Sequence, residues 1–266
     1  MQIALTIAGS DSGGGAGIQA DLKTFHQFGV FGTSVITALT AQNTLGVTNW
    51  SAVDAGMLRA QLAAVLTDLR PAACKSGMLP NAEVIGIVAA SIREYRLHNY
   101  VLDPVMVATS GDVLVEKNAV AAIQHSLFPL AALATPNLDE AAVLLGDRIN
   151  DESEMKAAAR KLAGMGAKAV LLKGGHLSGT DSVIDVLFDG EWTVFRHERI
   201  ETSSTHGTGC TLSAAIAAQL ALGVPLRDSV RTGIDFVHRA IAEAPRIGSG
   251  HGPLNHFVSP EAKRIL

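Results

Sequence analysis

Apolar runs and polar interruptions alternate along this chain at a nearly regular interval. Ile3 to Ala8 is a short run with β-branched residues, read as a strand. It ends in Gly9-Ser10-Asp11-Ser12-Gly13-Gly14-Gly15, and a helical pattern follows over Ala16 to Phe28. Val35 to Leu39 reads as a second buried strand, and Thr44 to Val53 as a strand or edge segment. Asp54 caps a predicted helix to about Leu69, and Asn81 caps another to about Tyr95, with a short strand over Ala72 to Lys75 between them. Tyr100-Val101-Leu102 is a strand stopped by Asp103-Pro104, and Lys117 to Leu127 is helical. Ala131 to Ala134 is a strand stopped by Thr135-Pro136-Asn137. Helices near Asp139 to Leu145 and Ser153 to Met165 precede a strand over Ala169 to Leu172 and the turn Lys173-Gly174-Gly175-His176. Val183 to Phe188 and Trp192 to Phe195 flank Asp189-Gly190, a strong hairpin signal. Helices after Thr208 and after Pro225 close the core.

Strands that alternate with helices, several of them apolar along their whole length, define an α/β fold with a mostly parallel sheet covered on both faces. No repeat or Pro/Ser-rich linker interrupts the 266 residues, so one domain over 1–266 is the expected division. The polar residues of interest fall just after the strands, where ligands bind in open α/β sheets.

Composition narrows the picture. Apolar residues make up 48% of the chain and charged residues 17%, which supports a large core and argues against disorder. A net charge of −4 gives no general attraction for nucleic acid or an anionic membrane, so an anionic ligand must be held by local donors. No apolar run is long enough to span a bilayer, and Met1 to Leu5 lacks the basic region of a signal peptide. Cys74 and Cys210 have neither metal nor disulfide spacing and are expected reduced, as in a cytosolic protein.

Several positions invite chemistry. In His206-Gly207-Thr208-Gly209-Cys210-Thr211-Leu212-Ser213, two glycines precede a helical pattern. The stretch is either a helix start with turn glycines or an anion hole built from backbone N–H groups and a helix terminus, suited to a phosphoryl group. Cys210 lies at the mouth of that hole, where a lowered thiol pKa is expected. Gly13 to Gly17 fits neither a P-loop nor a dinucleotide fingerprint, and a loop over a small ligand is as good a reading. Asp21 and Lys23 follow on a helix, and a solvated face is the ordinary role for Lys23. Asn137 is an N-cap with Asp139 and Glu140 in the first turn, or Asn137 and Glu140 face a hydrated Mg²⁺ and its phosphates. Asp103 is a turn residue, or it orients Mg²⁺ or a basic side chain. Lys173 enters a glycine turn, which favours a phosphate-binding ammonium over an exposed one. Gln42 ends a strand with an amide that can both donate and accept, matching a ring nitrogen beside an amino group. His206 is a turn residue or an active-site wall, while His176, His251 and His256 are expected in solvated loops.

Seven ordered stretches together resemble the hydroxymethylpyrimidine/phosphomethylpyrimidine kinases of thiamin biosynthesis, a branch of the ribokinase-like superfamily. They are LTIAGSD with SGGGAGIQADLK (ending at Lys23), VITALTAQNT (Val35 to Thr44), KSGML (Lys75 to Leu79), VLDPVM (Val101 to Met106), TPNLDEA (Thr135 to Ala141), LKGGH (Leu172 to His176) and HGTGCTLSAA (His206 to Ala215). The resemblance covers nearly the whole chain. It implies a ribokinase-like fold with a small antiparallel hairpin, and ATP-dependent transfer to the pyrimidine hydroxymethyl group and then to the monophosphate. It implies that Gln42 reads the pyrimidine, with Gly9, Asp21, Met78, Val105 and the His206 wall nearby. It implies that Asn137, Lys173 and Thr208 serve ATP, that Glu140 and Asp103 face Mg²⁺, and that Gly207, Gly209 and Cys210 form the catalytic anion hole with Lys173. Many sugar kinases of the superfamily carry Asp where Cys210 stands. The weaker thiol puts strict general-base catalysis in doubt, and phosphoryl transfer is largely positioning and electrostatics. The superfamily also suggests a homodimer. A pyridoxal or pyridoxine kinase and a non-catalytic metabolite-binding protein are the competing expectations.

Overall fold

The computed structural model describes residues 1–106, 118–175 and 182–260. Its strands are β1 (Ile3–Asp11), β2 (Phe31–Asn43), β3 (Gly46–Ala52), β4 (Ala73–Ser76), β5 (Tyr100–Leu102), β6 (Leu133–Ala134), β7 (Val170–Lys173), β8 (Ser182–Phe188) and β9 (Trp192–Glu198). They form one sheet in the order β3-β2-β1-β4-β5-β6-β7-β8-β9. The pairs from β2 through β7 are parallel, while β3, β8 and β9 add antiparallel edges. The predicted mostly parallel sheet and the hairpin about Asp189-Gly190 are both present.

Alternation along the parallel strands decides which side chains meet which helices. Leu5, Ile7, Cys74, Tyr100, Leu102 and Leu172 share one core with α2 (Ala55–Asp68), α3 (Ala82–Glu94), α5 (Leu138–Leu145) and α6 (Glu152–Ala163). Ala4, Ala73, Val101, Leu133 and Leu171 share the other with α1 (Gly17–Gln27), α7 (Thr208–Ala221) and α8 (Leu226–Ala242). The same alternation puts the polar Thr6, Lys75 and Lys173 on the α1/α7 side. Helix α7 is apolar nearly all round because it packs against α1, α8 and the sheet at once.

Local signals hold where chemistry is local. Asp54 accepts from the Met57 amide and Asn81 from the Val84 amide, as N-caps should. Two expectations need correction. β2 is far longer than Val35 to Leu39, because one half pairs with β1 and the other with β3, so polar residues join it through ladder bonds. The helix expected from Lys117 begins outside the described residues. Its described part is a short α4 (Ala119–Ala122) that widens into a π turn over Ile123–Leu127 and tightens into a 3₁₀ turn at Phe128–Leu130, where Pro129 cannot donate.

Gly207 caps α7 with φ 86°, and a Cβ there would strike the Gly15 carbonyl. Gly207→Ala should therefore lose more than about 1 kcal/mol, seen as a fall in Tm of at least about 2 °C. Gly86→Ala is the control. It sits inside α3 with open space around the added carbon, so it should gain stability of up to about 1 kcal/mol. Equal losses in the two variants would contradict this account of Gly207.

Candidate active site

The carboxyl ends of β1, β2, β4, β5, β6 and β7 open into one cavity of 720 Å³. Parallel strands leave their last carbonyls and the following turns at that edge, and the N-termini of α1, α5 and α7 point back at it. The structure brings Gly9, Gln42, Met78, Asp103, Val105, Asn137, Glu140, Lys173, His206, Gly207, Thr208, Gly209 and Cys210 to this cavity. Among the residues expected at the site, Asp21 is the exception.

At the centre Lys173 Nζ lies 3.2 Å from Asp103 Oδ1. Asp103 also accepts from Thr135 Oγ1 at 3.3 Å and from Ser213 Oγ, one turn along α7 from Gly209, at 3.2 Å. Burial alone would raise the Asp103 pKa, but Lys173, Lys75 and the two hydrogen bonds from Lys173 and Ser213 hold it below the ordinary carboxylate value. Lys173 is desolvated yet kept above the usual lysine value by Asp103 and Glu140. Gly209 allows this approach: a Cβ there would stand 3.1 Å from Lys173 Nζ. The first-turn amides of Gly209 and Cys210 are left open by helix geometry. Thr208 departs from the expected hole, since its N–H is turned to the Thr205 carbonyl at 3.3 Å and its hydroxyl to the same oxygen at 2.7 Å.

Asn137 and Glu140 make a reciprocal capping box, each side chain accepting from the other's backbone N–H at 2.8 Å. The N-cap reading of the sequence is thus realised, and Glu140 still lines the cavity while buried. Burial pushes its pKa up to about 7; Lys173 opposes this and Asp103 reinforces it. The donor set suits Mg²⁺, a hard cation that keeps waters and takes one or two carboxylates together with phosphate oxygens. Among the described residues no cluster of three or more metal-ligating side chains forms.

At the other end Gln42 faces the apolar Met78 and Val105. Ser12 fixes the Gln42 backbone twice, its Oγ accepting from the amide and donating to the carbonyl, each at 2.8 Å. His206 is buried, lines the cavity and lies 2.9 Å from Asp11 Oδ2.

Three expectations change. The Cys210 thiol is not activated. Burial pushes it up to about 12; Lys75 and the Gly17 amide pull it down, while Asp21 and Asp103 add to the rise. Asp21 is sealed away from the cavity, its carboxylate bound by Lys75 Nζ at 3.1 Å and by Thr6 Oγ1 at 2.6 Å. His256 is buried against the first turn of α7, 3.0 Å from Thr211 Oγ1. Burial and Lys23 lower its pKa to about 4. His251 is exposed as expected, and His176 lies outside the described residues. Lys23 is exposed, though its Nζ donates to the Gly14 carbonyl at 2.7 Å.

Three functional candidates carry no role in the sequence reading. Asp11 accepts from the amides of Gly13, Gly15 and Ala16 at 2.8–2.9 Å and so organises the glycine loop. Its signal is an Asp placed just before a glycine run. Lys75 breaks the apolar alternation of a central strand, which is itself a signal. Asp185 on β8 accepts from the Gly174 amide at 2.9 Å and lines the cavity, with a pKa raised to about 6 by burial. Nothing near it in sequence marks it.

Two outcomes follow from these environments. Iodoacetamide should alkylate Cys210 at least about tenfold more slowly than an unperturbed thiol at neutral pH; a rate equal to that of free cysteine would contradict the buried thiol. Glu140 has a folded pKa above its ordinary 4.5, so between pH 4.5 and about 7 the folded state holds more protons than the unfolded one. Stability from this group is therefore lost as pH rises through that window. Glu140→Gln keeps the acceptor for Asn137 and removes the titration. Urea unfolding on both sides of the window should show a smaller stability difference in the variant than in the wild type.

Comparison with known proteins agrees with this geometry. The family model described as phosphomethylpyrimidine kinase matches residues 11–255. A hydroxymethylpyrimidine/phosphomethylpyrimidine kinase of Rhizobium meliloti (strain 1021) is 54% identical over 259 residues, 96% of this chain and 97% of that one. A pyridoxal kinase of Bacillus subtilis, solved as an ADP complex, superposes with a TM-score of 0.89 at 39% identity, covering 96% of this chain and 97% of its own. A phosphomethylpyrimidine kinase of Clostridium difficile 630 gives 0.81 at 39% identity, over 91% of this chain and all of its own. With the family's motifs drawn to a single cavity around Lys173, Asp103 and the start of α7, the chain belongs to the phosphomethylpyrimidine kinase family and is a kinase.

Proposed function

We propose that this protein transfers a phosphoryl group from ATP to 4-amino-5-hydroxymethyl-2-methylpyrimidine and then to its monophosphate, as a cytoplasmic, single-domain homodimer. The observation that carries the reading is continuity. One cavity runs from the Gln42–Met78–Val105 end, sized and equipped for a flat polar ring, past the start of α7, to the Lys173–Asn137–Glu140 end. In this reading Gln42, Gly9, Met78, Val105 and His206 hold the pyrimidine. Lys173, Asn137 and Thr208 hold the nucleotide, and the Gly207–Cys210 segment receives the phosphoryl group in transit. Asp21 acts from beneath that pocket, held by Lys75. Mg²⁺ at Glu140 and Asp103 would neutralise and orient phosphate oxygens.

The residues catalyse by positioning and charge. Lys173, fixed by Asp103, brings a desolvated cation to the cavity beside the open amides of Gly209 and Cys210, where equatorial phosphoryl oxygens gain charge. Cys210 keeps its proton at neutral pH and so lines the hole without serving as the base. Both cysteines are free thiols, in keeping with a reducing compartment. Exposed Leu39 and Leu45 at the β2–β3 edge support a self-association surface, to be checked by light scattering.

Pyridoxal is the second acceptor to consider, because a solved pyridoxal kinase shares this fold at a TM-score of 0.89. Turnover with hydroxymethylpyrimidine, its monophosphate and pyridoxal, each with and without Mg²⁺, separates the readings by mass spectrometry. Both pyrimidine products should form, and only with Mg²⁺; phosphorylation of pyridoxal alone would move the assignment to the second reading. Gln42→Leu should cost roughly 1–3 kcal/mol in kcat/KM for each pyrimidine group left unpaired and leave the KM for ATP nearly unchanged. Glu140→Gln should slow turnover and weaken the Mg²⁺ dependence while the fold survives.

A further inference from the structure

The Gln42 amide is held by a chain of polar groups in which one assignment pairs every donor with an acceptor. Asp11 has a pKa held below the ordinary carboxylate value, and it accepts three backbone N–H bonds besides the contact to His206. An ionised carboxylate has no proton to give, so His206 Nε2, 2.9 Å away, carries the hydrogen and donates. The same Nε2 stands 3.5 Å from the terminal nitrogen position of Gln42. With nitrogen there, two N–H donors would face each other. At the far side Thr40 Oγ1 lies 3.0 Å from the Ser10 carbonyl and 3.2 Å from the other Gln42 terminal atom. A hydroxyl has one hydrogen, and giving it to the nearer Ser10 carbonyl is the choice compatible with the Gln42 orientation that His206 requires. Thr40 Oγ1 is then an acceptor toward Gln42.

His206 requires one orientation and Thr40 can meet it: Gln42 Oε1 toward His206 and Nε2 toward Thr40. Amide nitrogen and oxygen are told apart by such networks. In this orientation every contact pairs a donor with an acceptor, and Gln42 retains one N–H and one lone pair for a ligand. A ring nitrogen beside an exocyclic amino group complements that pair. A pyridine such as pyridoxal has no N–H donor beside its ring nitrogen.

We propose that Asp11, His206, Thr40 and the Ser10 carbonyl are positioning groups that lock the Gln42 amide in one orientation and thereby set the preference for an aminopyrimidine over a pyridine. The proposal rests on the reading of Gln42 as the residue that binds the ring. It makes Thr40, which the family motif carries without an assigned task here, a determinant of specificity acting through Gln42.

The test compares Thr40→Val, Thr40→Ser and His206→Phe with the wild type, measuring kcat/KM for hydroxymethylpyrimidine and pyridoxal and KM for ATP. Thr40→Val keeps the volume and removes the acceptor. Its kcat/KM for the pyrimidine should fall about tenfold, the worth of one hydrogen bond, with KM for ATP within about twofold and the pyrimidine-to-pyridoxal ratio reduced. Thr40→Ser restores the hydroxyl and should restore the ratio. His206→Phe breaks the chain from the other end and should lower the same ratio; Thr40→Ala, which removes the acceptor away from the ring, decides the matter if Thr40→Val fails to fold. An unchanged ratio in the folded variants, or equal losses toward pyrimidine and ATP, overturns the proposal. Gln42→Leu keeps the two readings distinguishable. A loss there without one in Thr40→Val sinks the lock alone, whereas no loss there removes the ring-binding role of Gln42 and the lock with it.

Discussion

The Asp103–Lys173 ion pair is the contact around which this cavity is arranged. It joins the ends of β5 and β7, and through Thr135 and Ser213 it reaches the end of β6 and the first turns of α7. A buried carboxylate this well bound stays ionised, and a buried ammonium beside it stays protonated. The pair explains Gly209, where any side chain would press on Lys173, and Ser213, whose hydroxyl would otherwise satisfy only the helix carbonyls of Gly209 and Cys210. Removing either charge would leave the other unpaired out of water, a far larger penalty than the pair's own contribution.

The glycine segments serve a second constraint, close approach. Cβ atoms on Gly207 and Gly17 would meet the carbonyls of Gly15 and Gly9, and one on Gly15 would meet the His206 ring. The loop after β1 and the start of α7 are therefore laced together, with Asp11 and His206 as the polar tie. The consequence is mechanical. The pocket wall that faces Gln42 and the segment that opens α7 belong to one unit, so on the proposed reading the ring and the phosphoryl group would be positioned together.

This explains what was legible in the sequence. Strand order of appearance, the caps at Asp54 and Asn81, the hairpin turn and the polar edge after the strands depend on short spacings, and all are found. The thiol of Cys210, the fate of Asp21 and the burial of His256 depend on what packs there from elsewhere in the chain. A helix terminus beside Cys210 is visible in a dozen residues; the α1 turn that covers it is not. Asp21 lies one helical turn beyond Gly17, whose amide meets that thiol, and Lys75 from β4 pairs with it there. His256 reaches α7 from the far end of the chain. Asp185 gives no sequence signal because its partner is the Gly174 amide just past the end of β7, a relation no local pattern encodes.

The charges at this edge also determine what ligand chemistry it can accept. Among the described residues Lys75, Lys173 and Arg199 are the cations; Asp11, Asp21, Asp103, Asp139, Glu140, Asp185 and Glu198 are the carboxyl groups. Asp21 and Lys75 neutralise each other in a fully buried pair, and Asp103 takes Lys173. Asp11 is answered by amides and His206. Among the described residues Glu140 and Asp185 make no ion pair, and burial outweighs the pull of Lys173 to raise their pKa values to about 7 and about 6. A polyanionic nucleotide entering beside Lys173 would add negative charge to a region already short of positive charge. Either those carboxyl groups hold their protons or a small divalent cation enters with the phosphates. Either choice leaves Glu140 an oxygen to accept from the Asn137 amide, but only the second supplies positive charge, and that is the physical argument for the Mg²⁺ proposed above.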